Sequence, residues 1–359
     1  MTKKTSFEVL HEFVEPARAN VPPETWDYLM GGAETETSLQ RNRMAIDELA
    51  LRPRVLRDVE NVDLTGKFFG HDWRLPVLLA PIGSLQDMTK GGGKAPARAA
   101  AKFGAAHMLS ISCSPGLEEV AAAVPEYPKI FQIYVRGDAD WIDEVVQRAI
   151  DHGYVAICFT VDLDAYGRRE RDIAKRYQTT ARRTARKEEY QARFSWDDVE
   201  RIRKKFDIPL ILKGIACGED AARAVDTGIE CVYVSNHGGR QLDHSLGSTQ
   251  VLPEIVDAVS GRAEIIVDGG YMRGADIVKA MALGANAVGI ARLQGLAAAA
   301  GGEDAIVRML EILEQEIKSC LMLLGVTSYQ ELDPSFVTKV TPIQQNWLHS
   351  AFPLLKEGY

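Results

Sequence analysis

Eight short apolar runs, repeated along the chain with amphipathic stretches between them, constrain the fold most. They are Val77–Gly83, His107–Ser112, Lys129–Val135, Val155–Asp162, Pro209–Ile215, Cys231–Asn236, Glu264–Gly270 and Ala287–Leu293. Each is apolar through most of its length instead of alternating, the pattern of parallel strands covered on both faces. Helical periodicity fills the intervals, as in Ala139–Asp151, Trp196–Phe206, Asp220–Thr227 and Ala275–Leu283. Eight strand–helix units argue for an α/β fold of the TIM (β/α)8 barrel type over about residues 75–325. The competing arrangement is an open doubly wound sheet. A hydrophobic content of 46% supplies a large core, and 359 residues are within reach of one such domain, taken here as 1–359.

The flanks read as helical. Phe7 to Met30 forms an N-terminal helical segment broken near Val21-Pro22-Pro23, where a proline suits a first turn, and Gly31-Gly32 supplies a stop. After the barrel, Ile306, Met309, Leu310, Leu313, Ile317, Cys320, Leu321 and Leu324 fall at helical spacing, so a long C-terminal helix packs on the barrel or on a neighbouring subunit. The spacing of the units breaks once, between the fourth and fifth runs. Arg168–Arg193 is dense in charge and poor in apolar residues, which suggests a mobile loop, about 163–195, over the barrel mouth, or else a solvated insertion without a role.

Charge and cysteine usage exclude several classes. Basic side chains number 42 against 50 acidic, a net charge of −8, so nucleic acid is not an expected partner. Cys113, Cys158, Cys217, Cys231 and Cys320 form no Cys-x-x-Cys and suit free thiols in a reducing compartment. The seven histidines show no zinc-ligand spacing, so no metal is expected. No run is long enough to span a bilayer, and Met-Thr-Lys-Lys-Thr-Ser has no apolar core behind it. A cytoplasmic enzyme is the expectation.

Barrel enzymes place their chemistry at the C-terminal ends of the strands. The runs end in Pro81-Ile82-Gly83, Ser110 and Ser112, Gln132 and Tyr134, Thr160 and Asp162 followed by Arg168-Arg169, Lys213, His237 and Arg240, Asp268-Gly269-Gly270, and Arg292. Singly, each has a structural reading: Lys213 as a snorkelling surface lysine, Gln132 or Tyr134 as satisfied core polar groups. Their coincidence at one face points to a site. The densest stretch is Ser235-Asn236-His237-Gly238-Gly239-Arg240-Gln241 after the buried run Cys231–Val234. It joins a proton carrier, two glycines that admit a flat ligand, and a planar cation suited to a carboxylate.

That stretch resembles the active-site signature of the FMN-dependent α-hydroxy acid oxidases and dehydrogenases, and the resemblance extends from roughly Phe7 to Asp333. It implies FMN as cofactor, a small 2-hydroxy acid as substrate, oxygen, a quinone or a protein as electron acceptor, and a homo-oligomer, a tetramer by likeness. Oxidising such an acid requires a carboxylate held beside the flavin while the α-hydrogen and the hydroxyl proton leave. Arg169 and Arg240 suit a bidentate carboxylate clamp, His237 a general base, Asp162 the partner that fixes its tautomer, and Lys213 the charge that offsets a reduced flavin. The resemblance further implies that Tyr134 and Tyr28 contact substrate. It implies FMN contacts from Pro81, Ile82, Gly83, Ser110, Gln132, Thr160, Lys213, Ser235, Asp268, Gly269, Gly270, Ala291 and Arg292.

Several positions depart from the family pattern. Met272 stands where a phosphate-binding arginine is usual, with Arg273 next to it as a candidate substitute, and Ala291-Arg292-Leu293 replaces Gly-Arg-Pro. Gly83 takes an alanine position, Thr89-Lys90-Gly91-Gly92-Gly93 replaces His-Pro-x-Gly-Glu, and the charged segment is short. A weakened phosphate grip is expected. Ser112 occupies a position where some relatives carry tryptophan, implying room for a larger substrate, part of which Tyr166 takes back. No haem-binding domain precedes the barrel, so a built-in cytochrome acceptor is not expected. The alternatives are a different FMN barrel of the type 2 isopentenyl diphosphate isomerase kind, and a flavin-binding protein without turnover.

Overall fold

The computed structural model describes residues 7–184, 189–343 and 348–358. All eight runs form strands: β1 Val77–Leu79, β2 Ala106–Ser110, β3 Lys129–Ile133, β4 Tyr154–Thr160, β5 Leu210–Ile215, β6 Cys231–Val234, β7 Glu264–Val267 and β8 Ala287–Ile290. They pair in parallel in sequence order, and β8 closes on β1. A closed barrel, not the open sheet, is therefore the architecture.

Side-chain alternation divides each strand between two cores. Leu78, Met108, Ile130, Cys158, Ile211, Tyr233 and Ile266 form one buried cluster, while Leu79, Leu109, Phe131, Ile157, Leu212, Val232 and Val267 belong to the other. The second cluster holds the surrounding helices, so the first is the barrel interior. A hairpin, Gly66–Phe68 with His71–Trp73, adds Phe68 and Trp73 to the interior cluster just before β1 begins. Its side chains cap the end of the barrel opposite the strands' C-termini.

The helical expectations hold, with boundaries shifted by a residue or two. Three N-terminal helices, α1 Val14–Asn20, α2 Pro23–Met30 and α3 Thr37–Asp47, precede the barrel. Gly31 does end α2, but with φ −75° and ψ 166°. The chain leaves the helix extended instead of through a left-handed cap. The last run of helix, α4 Arg292–Leu324, is interrupted at Gly301 and Gly302. Its second half packs Ile306, Met309, Leu310, Leu313 and Ile317 into the outer core, so the apolar stripe is covered by this chain's own barrel.

The charged segment after β4 is not a bare loop. It carries three short helices, Glu170–Ala174, Thr180–Thr184 and Glu189–Arg193, while residues 185–188 lie outside the described chain. Gln191 anchors it by accepting from Val135 N (2.7 Å) and donating to Thr160 O (3.0 Å), and Asp87 accepts from Thr180 N and Oγ1 (2.9 and 2.6 Å). No described helix is long and apolar enough to cross a membrane.

Candidate active site

The stretch after β6 makes an unusual turn. His237, Gly238 and Gly239 all have left-handed backbones, with φ of 58°, 65° and 75°. A non-glycine in this region is uncommon and strained. Here Ser235 Oγ accepts the His237 N–H at 3.0 Å, and Asn236 Oδ1 accepts that of Gly239 at 3.1 Å. Gly239 admits no side chain, since a Cβ would sit 2.4 Å from Leu39 N in α3. The turn reverses the chain so that His237 and Arg240 both face one cleft at the strands' C-terminal ends. Including its open mouth, that cleft encloses about 1540 Å³.

His237 lies between two groups. Its Nδ1 is 3.0 Å from Asp162 Oδ1, and its Nε2 is 3.3 Å from the Tyr134 hydroxyl. Burial lowers the His237 pKa below its ordinary value, and the Asp162 charge only partly opposes that. Burial also works against ionised Asp162, but the His237 charge and hydrogen bond, with Lys213, prevail and hold its carboxyl below the usual range. The dyad is therefore carboxylate plus neutral imidazole, with Nδ1 as donor to Asp162 and Nε2 left as the basic nitrogen. Burial raises the Tyr134 hydroxyl far above its ordinary value, so it stays protonated. Gln241, last in the signature, supports the same arrangement by donating to Asp162 O (3.0 Å) and Ala165 O (2.9 Å).

Arg169 and Arg240 come together as expected. Arg240 Nη1 donates to the carbonyls of Tyr28 (2.6 Å) and Gly31 (2.9 Å), with its guanidinium 4.6 Å over the Tyr28 ring. Arg169 donates to the Tyr166 hydroxyl (2.5 Å) and reaches Arg240 O at 3.4 Å. Its neighbour Arg168 instead turns outward to Glu170. Neither Arg169 nor Arg240 has a carboxylate within 4.0 Å among the described residues. Burial, then Arg169, disfavours the Arg240 cation, so an anion bound between the two relieves both.

Beneath the cleft, Lys213 is buried and not a snorkelling surface residue. Its Nζ donates to Ser235 Oγ (2.8 Å) and pairs with Asp268 Oδ2 (3.3 Å), and Ser235 Oγ in turn donates to Asp268 Oδ1 (2.6 Å). Burial opposes the Lys213 charge, but Asp268 and Asp162 outweigh it and raise its pKa. Pro81, Ile82, Gly83, Lys213, Asp268, Gly269, Gly270, Ala291 and Arg292 line the cleft. Ser110, Gln132, Thr160 and Ser235 are buried and do not line it, and Gln132 Nε2 donates to Thr160 Oγ1 at 2.9 Å. Gln132 Oε1 has no partner among the described residues.

At the β7–β8 end, Met272 is 1% exposed and lines the cleft. Arg273 does not substitute for an arginine there. It pairs with Glu316 (2.6 Å), donates to Ala351 O (3.1 Å) and does not line the cleft. Arg292 Nη2 donates to Gly31 O (2.9 Å), while its buried Nε has no partner among the described residues. His244 is largely exposed, as the sequence suggests.

Sequence reasoning missed two cleft arginines, Arg136 and Arg182. A signal existed for Arg136: it stands two residues after Tyr134, so an extended chain turns both to the same side. Also missed was α3, whose Asn42 exchanges hydrogen bonds with Asn236 (2.8 and 2.9 Å) and so ties the N-terminal segment to the signature turn.

Residues 17–339 match the family model described as FMN-dependent dehydrogenase. The chain is 37% identical to the L-lactate oxidase of Nostoc sp., covering 94% of this chain and 100% of that protein. It is 39% identical to the 4-hydroxymandelate oxidase of Amycolatopsis orientalis, over 89% and 95%. A crystal structure of mandelate oxidase with benzoyl-formic acid superposes with a TM-score of 0.86 at 37% identity, over 94% of this chain and 100% of that one.

Proposed function

This chain belongs to the FMN-dependent dehydrogenase family, and we propose that within it the chain oxidises a small 2-hydroxy acid to the 2-oxo acid with dioxygen as electron acceptor. FMN is its cofactor. The cleft residues fit that group: Gly269 and Gly270 present backbone to the cleft because their side-chain positions face Asn42 and Arg43, and Gln132 Oε1 is a buried acceptor lacking a donor among the described residues. Arg292 is a cleft cation without a carboxylate at the β7–β8 end, where barrels commonly hold phosphate. Lys213 would lie under the ring system, and Arg292 would hold the phosphate. Bound FMN supplies the two-electron acceptor for the reaction.

The protein's own groups supply the rest. Arg169 and Arg240 hold the substrate carboxylate, with Tyr28 packed against both guanidinium groups. This fixes the hydroxyl-bearing carbon, replacing orientational freedom with a defined geometry. Net oxidation removes two electrons, the hydroxyl proton and the α-hydrogen. His237 Nε2 takes one proton while the C=O bond forms, and Asp162 stabilises the imidazolium so produced. Tyr134, kept protonated, donates to the substrate oxygen. Lys213 stays charged and offsets negative charge accumulating above it.

The observation that carries this reading is the partly buried His237–Asp162 dyad beside two arginines that have no carboxylate of their own among the described residues. The relatives, named as lactate, hydroxyacid and mandelate oxidases, support both the substrate class and dioxygen. The test is anaerobic bleaching of the FMN-loaded protein by a panel of 2-hydroxy acids, followed by readmission of oxygen. Bleaching with rapid reoxidation is expected. Bleaching without reoxidation would move the acceptor to a quinone or protein, and no bleaching by any acid would leave a flavin-binding protein without turnover.

A further inference from the structure

Five arginines line the cleft: Arg136, Arg169, Arg182, Arg240 and Arg292. None has a carboxylate within 4.0 Å among the described residues, whereas many surface arginines do. The lining acids are Asp164 and Asp268, and Asp268 is already paired with Lys213. The reading above assigns Arg169 and Arg240 to the substrate carboxylate and Arg292 to the FMN phosphate. Arg182 stacks over the Tyr166 ring at 3.7 Å. Arg136 is left over.

Arg136 is half-buried, and burial disfavours its cation. Among the described residues its single side-chain hydrogen bond is from Nη2 to Ser112 Oγ, at 2.5 Å. Since that hydroxyl accepts from Arg136, its own proton remains free to donate. Ser112 in turn faces Gly83, where a Cβ would lie 3.2 Å from Ser112 Cβ and 3.8 Å from the Tyr28 hydroxyl. Tyr28, Gly83, Ser112 and Arg136 line one cleft, so the Tyr28 end of the carboxylate clamp and the Arg136 guanidinium open onto the same space. A half-buried cation with unused N–H groups beside a free hydroxyl is a site for an anion. An apolar substrate tail placed there would leave both unsatisfied.

We propose that Arg136 and Ser112 form a second anion subsite, and that the preferred substrates are 2-hydroxy dicarboxylates whose distal carboxylate it binds. This rests on the 2-hydroxy acid reading above. The distal carboxylate accepts from the Arg136 fork and from Ser112 Oγ–H, while Arg169 and Arg240 hold the proximal one. The net result is a cleft whose excess positive charge is met by a dianion.

The experiment compares 2-hydroxysuccinate, 2-hydroxypentanedioate and 2-hydroxyhexanedioate with monocarboxylates of equal chain length in anaerobic FMN reduction. A charge-assisted hydrogen bond is worth about 10- to 150-fold in affinity. The favoured dicarboxylate should therefore exceed its monocarboxylate by at least about 10-fold in second-order reduction rate. Arg136→Gln should lower that ratio by about the same factor, and Arg136→Lys, which keeps the charge without the fork, should retain part of it. A monocarboxylate preference, or a ratio unmoved in Arg136→Gln, overturns the subsite. If no hydroxy acid of either kind reduces the flavin, the oxidation reading fails, and binding still decides the subsite. The corresponding 2-oxo acids are then titrated against the FMN spectrum. A dicarboxylate advantage lost in Arg136→Gln supports the subsite, and equal dissociation constants overturn it.

Discussion

His237 Nδ1 and Asp162 Oδ1 lie 3.0 Å apart although they follow strands β6 and β4, which are not neighbours. The strand between them, β5, makes the contact possible. Substituting Asp162→Asn keeps a side chain that can accept from Nδ1 but removes the charge that stabilises the imidazolium. Flavin reduction should slow by about 100-fold or more, within the usual span for acid–base groups, and FMN should remain bound. His237→Ala should slow it at least as much. Stopped-flow bleaching checks both, and a near wild-type rate in His237→Ala would remove the histidine from the mechanism.

The pH profile follows from the same pair. His237 is depressed below 6.5 by burial, so it is neutral and competent at pH 7. The second-order reduction rate should be flat near neutrality and fall only as pH drops below 6.5, when Nε2 becomes protonated. Asp162 is the group that favours the imidazolium, so Asp162→Asn should move this acid limb to still lower pH while lowering the plateau. The stability linkage has the same sign. A histidine whose folded pKa is lowered contributes fully above its unfolded value near 6.5, and that contribution is lost as pH falls toward its folded pKa. An acid limb above 6.5 would contradict the burial argument.

Gly214 controls the approach of Asp162. Its φ is 116°, and a Cβ there would lie 2.7 Å from Asp162 Cβ. Gly214→Ala therefore combines backbone strain, of order 1–3 kcal/mol, with a shift of Asp162 away from His237. The expected outcome is a lower melting temperature together with a roughly 10- to 100-fold slower reduction in the FMN-loaded protein. Asp162→Asn lacks the backbone component and should melt closer to wild type, so comparison of the two separates geometry from charge.

Much of this site was legible in the sequence because barrel topology sends every strand end to one rim. Once eight runs were recognised, Tyr134, Asp162, Lys213, His237 and Arg240 had to converge there. What was illegible depended on features outside the runs. That Gly214 faces Asp162 needs the bulge between Lys213 and Ile215. The Asn42–Asn236 exchange needs α3 placed over the signature turn. Ser110, Gln132, Thr160 and Ser235 are buried and do not line the cleft, although Thr160 is paired level with the lining Lys213, a distinction that motif position alone does not convey. Arg136 was passed over because it follows the run that draws attention to Tyr134.

The phosphate end of the cleft gives the final test. Sequence spacing leaves Arg273 free to replace the arginine that Met272 displaces, but the Glu316 pair at 2.6 Å and the Ala351 carbonyl hold it elsewhere. Arg292 is then the arginine of this wall that lines the cleft without a carboxylate. Arg292→Gln should weaken FMN binding by about 10- to 150-fold, the worth of one charge-assisted hydrogen bond, and flatten its salt dependence. Arg273→Gln should leave FMN affinity within about 3-fold while lowering the melting temperature, because it breaks a partly buried pair that joins the β7 turn to α4. Met272→Arg adds a donor where the thioether has none, and should tighten FMN with a steeper salt dependence. Dissociation constants for FMN at two or more salt concentrations check all three. Weaker FMN binding in Arg273→Gln than in Arg292→Gln would reverse the assignment and give the phosphate to Arg273, the substitute that the sequence offers beside Met272.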